Sequence, residues 1–583
     1  MKQENNIHTR IGALSFRAKV SLLQMRRVVS NLLDNRIRQF SFAGNLADKP
    51  TIAESKTPLW TESEPEEQFL LAGKVHNLRL AVKRLNGLEV PANEIFSFWK
   101  CVGQANRRRG YVAGRELREG CLVPSVGGGL CQLSNALYDA ALKADFEIVE
   151  RHAHSQIVAG SLAEQGRDAT VFWNYIDLRF KSPTAFRIEA RLGKDHLRVK
   201  LRSENKKQIP VQILRNKVDL NLKSESSSPQ SCATCGVESC FRSLKADANL
   251  NFGRAAFLVD EFSPEFDEYI QKTKNEKDYL FLPLDGKRFR KANYAWTLEG
   301  FAKTRQSFLV AFERSYKSRK LATQGAARQT NLLAMSEKLA MAYAKDLKYD
   351  QTHIVVSQNL LPFLWRTGIL GGRTFDVLMT TLPMKTLQER LDFAASLQPE
   401  SKTLSDFRAD AKLIEAEFEA LENAERIVTA HTEIAALFGE RATLLDWKMP
   451  QAKELTKRKN EKFTVAFPAS TVGRKGCYEL REAIRDLNVK LIVLGAELEG
   501  ADFWRGVDYE KGGVDWLENS DLVVLPAFVE HKPRRLLQAA ANRIPVIASN
   551  DCGVKNIAGV ITVEAGNVER LRSEIKTHLA DFR

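Results

Sequence analysis

Cysteine is scarce in this sequence, with eight in 583 residues. So few thiols over so long a chain do not make a disulfide framework, and they fit a reducing compartment. Long apolar runs are missing as well. None reaches the roughly 18 residues of a membrane span, which excludes a helical integral membrane protein. The first residues lack the short apolar core and small-residue cleavage site of a secretory signal. A cytoplasmic placement is therefore expected. The chain carries no zinc finger, no RNA-recognition aromatic motif and no long Lys/Arg block, so nucleic acid is not an expected partner. What it has in excess is positive charge, a formal +15. That balance favours acidic partners such as nucleotide sugars, anionic polymers or an anionic membrane face. At this length one hydrophobic core does not suffice, and two to four domains are expected.

The most informative stretch is Gly127-Gly128-Gly129-Leu130-Cys131-Gln132-Leu133-Ser134. Three glycines permit a turn with unusual backbone angles. Leu130, Leu133, Leu137, Ala140 and Ala144 then recur at helical spacing, which predicts a helix with Cys131 in its first turn. Unpaired amides and the positive end of the helix dipole favour thiolate over thiol there. The run FEIVERHAHSQIV reads as a strand carrying His152 and His154 on one face, and Asp168 and Asp177 follow. These residues suit a nucleophile, a base (His154 or His152) and an orienting carboxylate (Asp168 or Asp177). A cysteine packed under a glycine turn and metal ligation shared with the histidines are the alternatives.

Upstream, residues 1–40 read as a basic amphipathic helix. Arg17, Lys19, Arg26 and Arg27 alternate with Val20, Leu23, Val28 and Leu32. Such a helix packs on its own domain or rests on the inner face of an anionic membrane. Ile95-Phe96-Ser97-Phe98-Trp99 reads as a short aromatic strand, and RFKSPTAFRIEARLGKDHLRVKLRSE as two antiparallel strands turning at Gly193-Lys194-Asp195.

NLRLAVKRLNGLEVPANEIFSFWKCVG, GGGLCQLSNALY, IVERHAHS, the run Gly166–Val171 and Asp177-Leu178-Arg179-Phe180 together resemble the VanW family, named for a member encoded in vancomycin-resistance clusters. The resemblance implies a cell-envelope or antibiotic-resistance association rather than a reaction. It also implies that Gly127, Gly128, Gly129, Cys131, Gln132, His154 and Asp168 share one site. Further on, Cys232, Cys235 and Cys240 form a Cys-x2-Cys pair with a third thiol close by. This is part of a zinc or iron–sulfur ligand set, or else a group of free thiols. Because the family can close with a similar Cys-x2-Cys, an α+β VanW-like domain is expected over residues 1–245.

After residue 250 short apolar strands alternate with helical stretches, the pattern of doubly wound parallel sheets. It is clearest beyond residue 460, in FTVAFPAS, CYELREAIRDL, KLIVLGA, DLVVLPA, RRLLQAAANR and PVIAS. Ligands in such sheets sit at the carboxyl ends of the strands. There Arg474 and Lys475 suit a diphosphate, and Glu530 stands before a helix bearing Arg534, Arg535 and Gln538. This half resembles the GT-B glycosyltransferases, in particular the large retaining family that includes sucrose and mannosyl transferases. The resemblance implies two Rossmann-like domains, at 250–455 and 460–583, and a nucleotide-sugar donor bound without metal. It assigns donor phosphate to Lys475 and donor sugar to Glu530, the first residue of a Glu-x7-Glu motif. The second position is Gln538, and Ser470 stands where an arginine is expected. His353 and His431 are acceptor-side candidates. The expected protein is thus a VanW-like domain fused to a retaining glycosyltransferase that acts on a glycan or lipid-linked acceptor. The alternative is a non-catalytic GT-B scaffold beside a VanW-like domain that works through thiol acyl transfer or as a binding module.

Overall fold

The structure is a computed structural model. It describes residues 10–33, 38–60, 65–118, 121–154, 161–204, 230–231, 253–320, 325–405, 408–455 and 461–581. The chain forms two compact units. One comprises Met1–Arg254 with Lys348–His353 and Gly368–Thr374, and the other Ala255–Leu347, Ile354–Thr367 and Phe375–Arg583. Among the described residues no helix is long and apolar enough to cross a membrane.

The first unit is α+β. Its four-stranded sheet runs in the order Thr51–Pro58, His196–Ser203, Phe186–Leu192, Leu88–Val90. The hairpin register pairs Phe186 with Ser203 and Leu192 with Leu197, around the expected turn at Gly193. Alternate residues Phe186, Ile188, Ala190, Leu197, Val199 and Leu201 are fully buried, the period-2 pattern of a sheet with one covered face. The helix Cys131–Lys143 covers Thr51–Pro58 and His196–Ser203, and the helix Pro65–Val82 covers Phe186–Leu192. Phe96, Phe146, Phe180 and Phe186 interlock beneath them. Each such ring contributes about 1.5–3 kcal/mol on burial. The aromatic strand is shorter than its sequence suggests. Only Phe96–Ser97 is extended, because Ser97 caps a helical turn over Phe98–Val102.

The basic N-terminal helix exists, as Arg10–Leu33. It docks through polar side chains. Gln24 donates to Trp173 O at 3.0 Å, Arg27 pairs with Glu150, and Asn31 accepts from Arg179 at 2.8 Å. Leu22, Met25 and Val29 face outward, so the face left in solvent is more apolar than the sequence pattern implied.

The second unit holds two parallel sheets, as the alternating pattern implied. The seven-stranded sheet runs Lys303–Gln306, Tyr279–Leu282, Arg254–Leu258, Gln351–Ser357, Thr374–Leu378, Arg426–Thr429, Ala442–Leu444. The six-stranded sheet runs Tyr509–Lys511, Lys490–Val493, Thr464–Phe467, Leu522–Leu525, Val546–Ser549, Val560–Val563. Numbered within each sheet, both start 3-2-1-4-5-6, the Rossmann order, so the unit holds two Rossmann-like α/β sheets, as expected. The central strands Thr464–Phe467, Leu522–Leu525 and Val546–Ser549 are buried at every residue, which is why they read as unbroken apolar runs. In each sheet the strand order reverses beside strand 1. Chain direction leaves a crevice there, at the carboxyl ends of strands 1 and 4.

Candidate functional site

Two places concentrate polar side chains. In the first unit the glycine turn leads directly into the helix Cys131–Lys143, so Cys131 is its first residue, as its sequence predicted. Gly129 has φ +96, and a Cβ there would lie 2.1 Å from Lys74 Cγ, so only glycine fits. Asn77, fully buried on the helix Pro65–Val82, fixes the turn. Its Nδ2 donates to Gly128 O and Val112 O, and its Oδ1 accepts from Val112 N, all at 3.0 Å. From the Cys131 helix, Asn135 Oδ1 accepts from Ala169 N at 2.7 Å and Ser134 Oγ donates to Ala169 O. Asp168 is thereby held beside the start of the helix. Thr170 N donates to His152 O at 2.8 Å, which brings the 152–154 segment alongside.

His154 is the imidazole that results. Its Nδ1 donates to Asp168 Oδ1 at 2.6 Å, and its backbone N–H donates to Asp168 Oδ2. Cys131 stands close enough to raise the ring's affinity for its proton, and its sulfur lies 3.7 Å from Thr170 Oγ1 and 3.8 Å from Val171 O. Burial opposes charge on His154. The hydrogen bonds and charges of Asp168 and Cys131 outweigh it and push the ring up to about 10. Burial likewise opposes charge on Asp168, yet the bond from His154 holds this carboxyl below the usual range.

In the second unit both crevices open into one cleft of about 660 Å³. The strand Thr464–Phe467 leads to a short turn, Gly473–Lys475, and then to the helix Cys477–Ile484, whose first amides have no side-chain cap. Gly476, with φ +74, makes the junction, and a Cβ on it would lie 2.1 Å from Pro526 O. The exits of strands 1 and 4 are stitched together by Phe528 N and Val529 N, which donate to Arg474 O at 3.0 and 3.2 Å. Lys475 Nζ donates to Glu530 Oε2 and to Val529 O, both at 2.9 Å. Glu499 anchors the turn from behind, accepting from Gly473 N at 2.8 Å, Tyr478 OH at 2.9 Å and Ser401 Oγ at 2.8 Å.

Charge in the cleft is largely paired. Arg314 faces Asp260 at 2.6 Å, Lys532 faces Glu261 at 2.6 Å, Arg534 clasps Glu265 at 2.6 and 2.7 Å, and Arg408 faces Asp392 at 2.7 Å. Arg474 has no carboxylate partner among the described residues. Two neutral imidazoles stand nearby. Burial, opposed only in part by Glu530, lowers His431 to about 4. Burial and the Lys475 charge lower His531 to about 3. His431 Nε2 donates to Glu530 O at 3.1 Å, while His431 Nδ1 and His531 Nε2 are buried without partners among the described residues. Burial also pushes the cleft carboxyl of Glu417 up to about 7.

Residues 73–202 match the family described as VanW like protein. This part of the chain is a VanW domain. The vancomycin B-type resistance protein VanW of Enterococcus faecalis is 34% identical over 137 residues, 22% of this chain and 49% of that protein. The protein YoaR of Bacillus subtilis is 39% identical over 107 residues, 18% of this chain and 35% of that protein. The chain thus spans half or less of the length of these relatives. Among solved structures, the sucrose-phosphate synthase of Thermosynechococcus elongatus superposes on 57% of this chain and 90% of its own, at 14% identity and a TM-score of 0.36.

Several expectations for the VanW domain change. His152 and His154 do not share a strand face, because the strand stops at Glu150 after a register shift. His152 is exposed, 3.7 Å from Glu150, and only His154 meets Asp168. Asp177 belongs elsewhere: it accepts from Ser97 Oγ, Trp99 N and Arg179 Nε. Gln132 turns away to donate to Thr57 Oγ1 and Pro58 O. Cys232, Cys235 and Cys240 lie outside the described residues. In the second unit Gln538 does not line the cleft, and Arg535 is spent on Pro468 O and Leu494 O. His353 bonds Thr374 Oγ1 at 2.8 Å.

Sequence reasoning passed over Asn77 and Glu499. An asparagine amid the apolar residues of NLRLAV was a usable signal for the first, since a buried amide needs partners. Asn77→Ala is expected to lower the stability of the VanW domain by about 3 kcal/mol, because it leaves buried backbone groups of the turn unpaired. Urea unfolding followed by tryptophan fluorescence measures the loss.

Proposed function

We propose that the cleft of the second unit binds a nucleotide sugar by its diphosphate and transfers the sugar to an acceptor hydroxyl, so that the protein is a glycosyltransferase joined to a VanW domain. The observation that carries this reading is Arg474. It is the cation in the cleft left without a carboxylate partner among the described residues, and it adjoins Lys475 and the uncapped start of the helix Cys477–Ile484. Guanidinium, ammonium and free amides at a strand-to-helix turn suit a diphosphate. When the bond between sugar and phosphate breaks, negative charge develops on the departing diphosphate, and Arg474 and Lys475 are placed to stabilise it. Glu530 is held ionised by Lys475 despite its burial. Once phosphate takes over Lys475, this carboxylate is freed to accept hydrogen bonds from sugar hydroxyls. Retention at the anomeric carbon is expected from the family resemblance.

Ser470 and Gln538 depart from that resemblance. Arg474 takes up the charge missing at Ser470, while the ribose has no acidic partner at position 538. A lipid-linked or glycan acceptor of the cell envelope fits the VanW partner domain. The test is release of nucleoside diphosphate from UDP-, GDP- and ADP-sugars by the full chain, with lipid-linked glycan extracts as acceptors. Acceptor-dependent release from one donor supports the reading. Binding of a donor with no release in any extract leaves a nucleotide-sugar-binding module in its place.

A further inference from the structure

The first unit holds chemistry that sugar transfer does not use. We propose that Cys131, His154 and Asp168 form a second catalytic site, which cleaves or transfers acyl groups from amide or ester carbonyls through a thioester on Cys131.

Three observations support this against plain packing. First, the protein shows what its packing cysteines look like. Cys477 and Cys552 are fully buried and Cys101 is half-buried, no imidazole acts on any of the three among the described residues, and Cys552 donates to Leu525 O at 3.5 Å. Cys131 is only half-buried, stands at the head of a helix and meets an imidazole. Second, the imidazole is oriented. Asp168 takes Nδ1, which leaves Nε2 for the sulfur, and Asp168 is itself fixed by Arg151, which donates to its backbone O. This is the order nucleophile, base, orienting carboxylate. Third, an oxyanion donor is in place. Gln132 N and Leu133 N are spent on Gly129 O and Leu130 O at 3.1 and 3.0 Å. The Cys131 amide, at the first helical position, has no acceptor among the described residues, which leaves it free to donate to the oxygen of a carbonyl attacked by the sulfur. Metal ligation is the weaker reading, since with Asp168 committed to Nδ1 only one sulfur and one nitrogen remain, short of the four donors of a zinc site.

The steps balance. The Cys131 thiolate attacks the carbonyl carbon and forms the C–S bond. The C–N or C–O bond to the leaving group breaks, and the amine or alcohol departs with the proton of the His154 imidazolium. Acylation removes the sulfur's charge, one of the forces holding that proton, so the neutral ring then acts as a base. It takes a proton from water or from an acceptor amine, which attacks the thioester. The C–S bond breaks, and thiolate and imidazolium are restored. Other titratable groups nearby include Glu150, Arg151 and His152 on the segment before His154, Asp139 and Arg167 along the Cys131 helix, and Lys74, whose stem lies against Gly129 and which burial lowers to about 7.

The test uses the full chain with p-nitrophenyl acetate and, separately, with iodoacetamide, reading the Cys131 peptide by mass spectrometry. The expected result is a burst of p-nitrophenol with an acetyl group on Cys131. His154→Gln should slow the burst by about 100-fold. At pH 7 His154→Gln and Asp168→Asn should each slow alkylation of Cys131 several-fold. Urea midpoints of both variants close to wild type separate lost chemistry from lost folding. The proposal is overturned if Cys131 is not acetylated, or if His154→Gln and Asp168→Asn change neither the burst nor the alkylation. Neither result bears on nucleotide binding in the second unit.

Discussion

Lys475→Ala is expected to abolish the rise in melting temperature that a nucleoside diphosphate gives the wild-type chain. A ligand at about 100 times its Kd stabilises a fold by about 2.7 kcal/mol. Removal of a charge-assisted phosphate contact within a cleft weakens binding about 100-fold, which cancels nearly all of that gain. The variant also starts from a lower midpoint. Glu530 loses the partner at 2.9 Å that keeps it ionised while buried, and breaking such a pair costs about 3 kcal/mol. Arg474→Ala separates the two effects. With no carboxylate left behind among the described residues, its unliganded midpoint should match wild type, while its response to nucleotide should fall as far as that of Lys475→Ala. A full nucleotide response in both variants would remove the phosphate from this part of the cleft.

The second large effect is acid sensitivity of the same unit. His431 and His531 stand at about 4 and about 3 in the folded protein, against about 6.5 in an unfolded chain. Both folded values are depressed, so below 6.5 the unfolded chain takes up protons that the folded one refuses. Their contribution is intact above about pH 6.5 and is lost as pH falls toward 4 and 3. At pH 5 two such rings cost about 4 kcal/mol in all. Glu417 works in the opposite direction: its carboxyl, raised to about 7, favours the fold at lower pH and offsets part of the loss. The double variant His431→Asn, His531→Gln should therefore lose much less of its urea midpoint between pH 7.5 and pH 5 than wild type does. Equal losses would mean that both rings titrate freely. The VanW domain carries the opposite sign at His154. With that ring raised to about 10, its contribution is full below about 6.5 and fades as pH rises toward 10.

Much of this architecture was legible because its causes are local. Val465, Val523 and Ile547 lie in strands buried on both faces, and such strands must be apolar throughout, so the six-stranded sheet announced itself. The exception is Tyr509–Lys511, an edge strand that keeps polar residues and showed no pattern. The glycine turn and Cys131 at a helix start followed from spacing alone. The choice of His154 over His152, and of Asp168 over Asp177, did not, and only the family resemblance pointed to it. It depends on where the strand Glu147–Glu150 ends and on how Asn135 clamps Ala169. Long-range pairing was invisible for the same reason. Arg534 and Glu265 are 269 positions apart, and Glu499 reaches both Ser401 and Gly473. No window of sequence contains such a contact. Lys475 and Glu530 were reached by another route: both stand at strand ends and match the glycosyltransferase resemblance, and only their direct bond was new.

The central claim is that the turn Gly473–Lys475 holds a diphosphate. A crystal structure of the full chain grown with the nucleoside diphosphate that shifts its melting temperature tests this most directly. The account predicts both phosphates against the Arg474 guanidinium and the first amides of the helix Cys477–Ile484, with Lys475 turned from Glu530 onto a phosphate oxygen. A nucleotide bound elsewhere on the chain, with the Lys475–Glu530 pair intact, would contradict it.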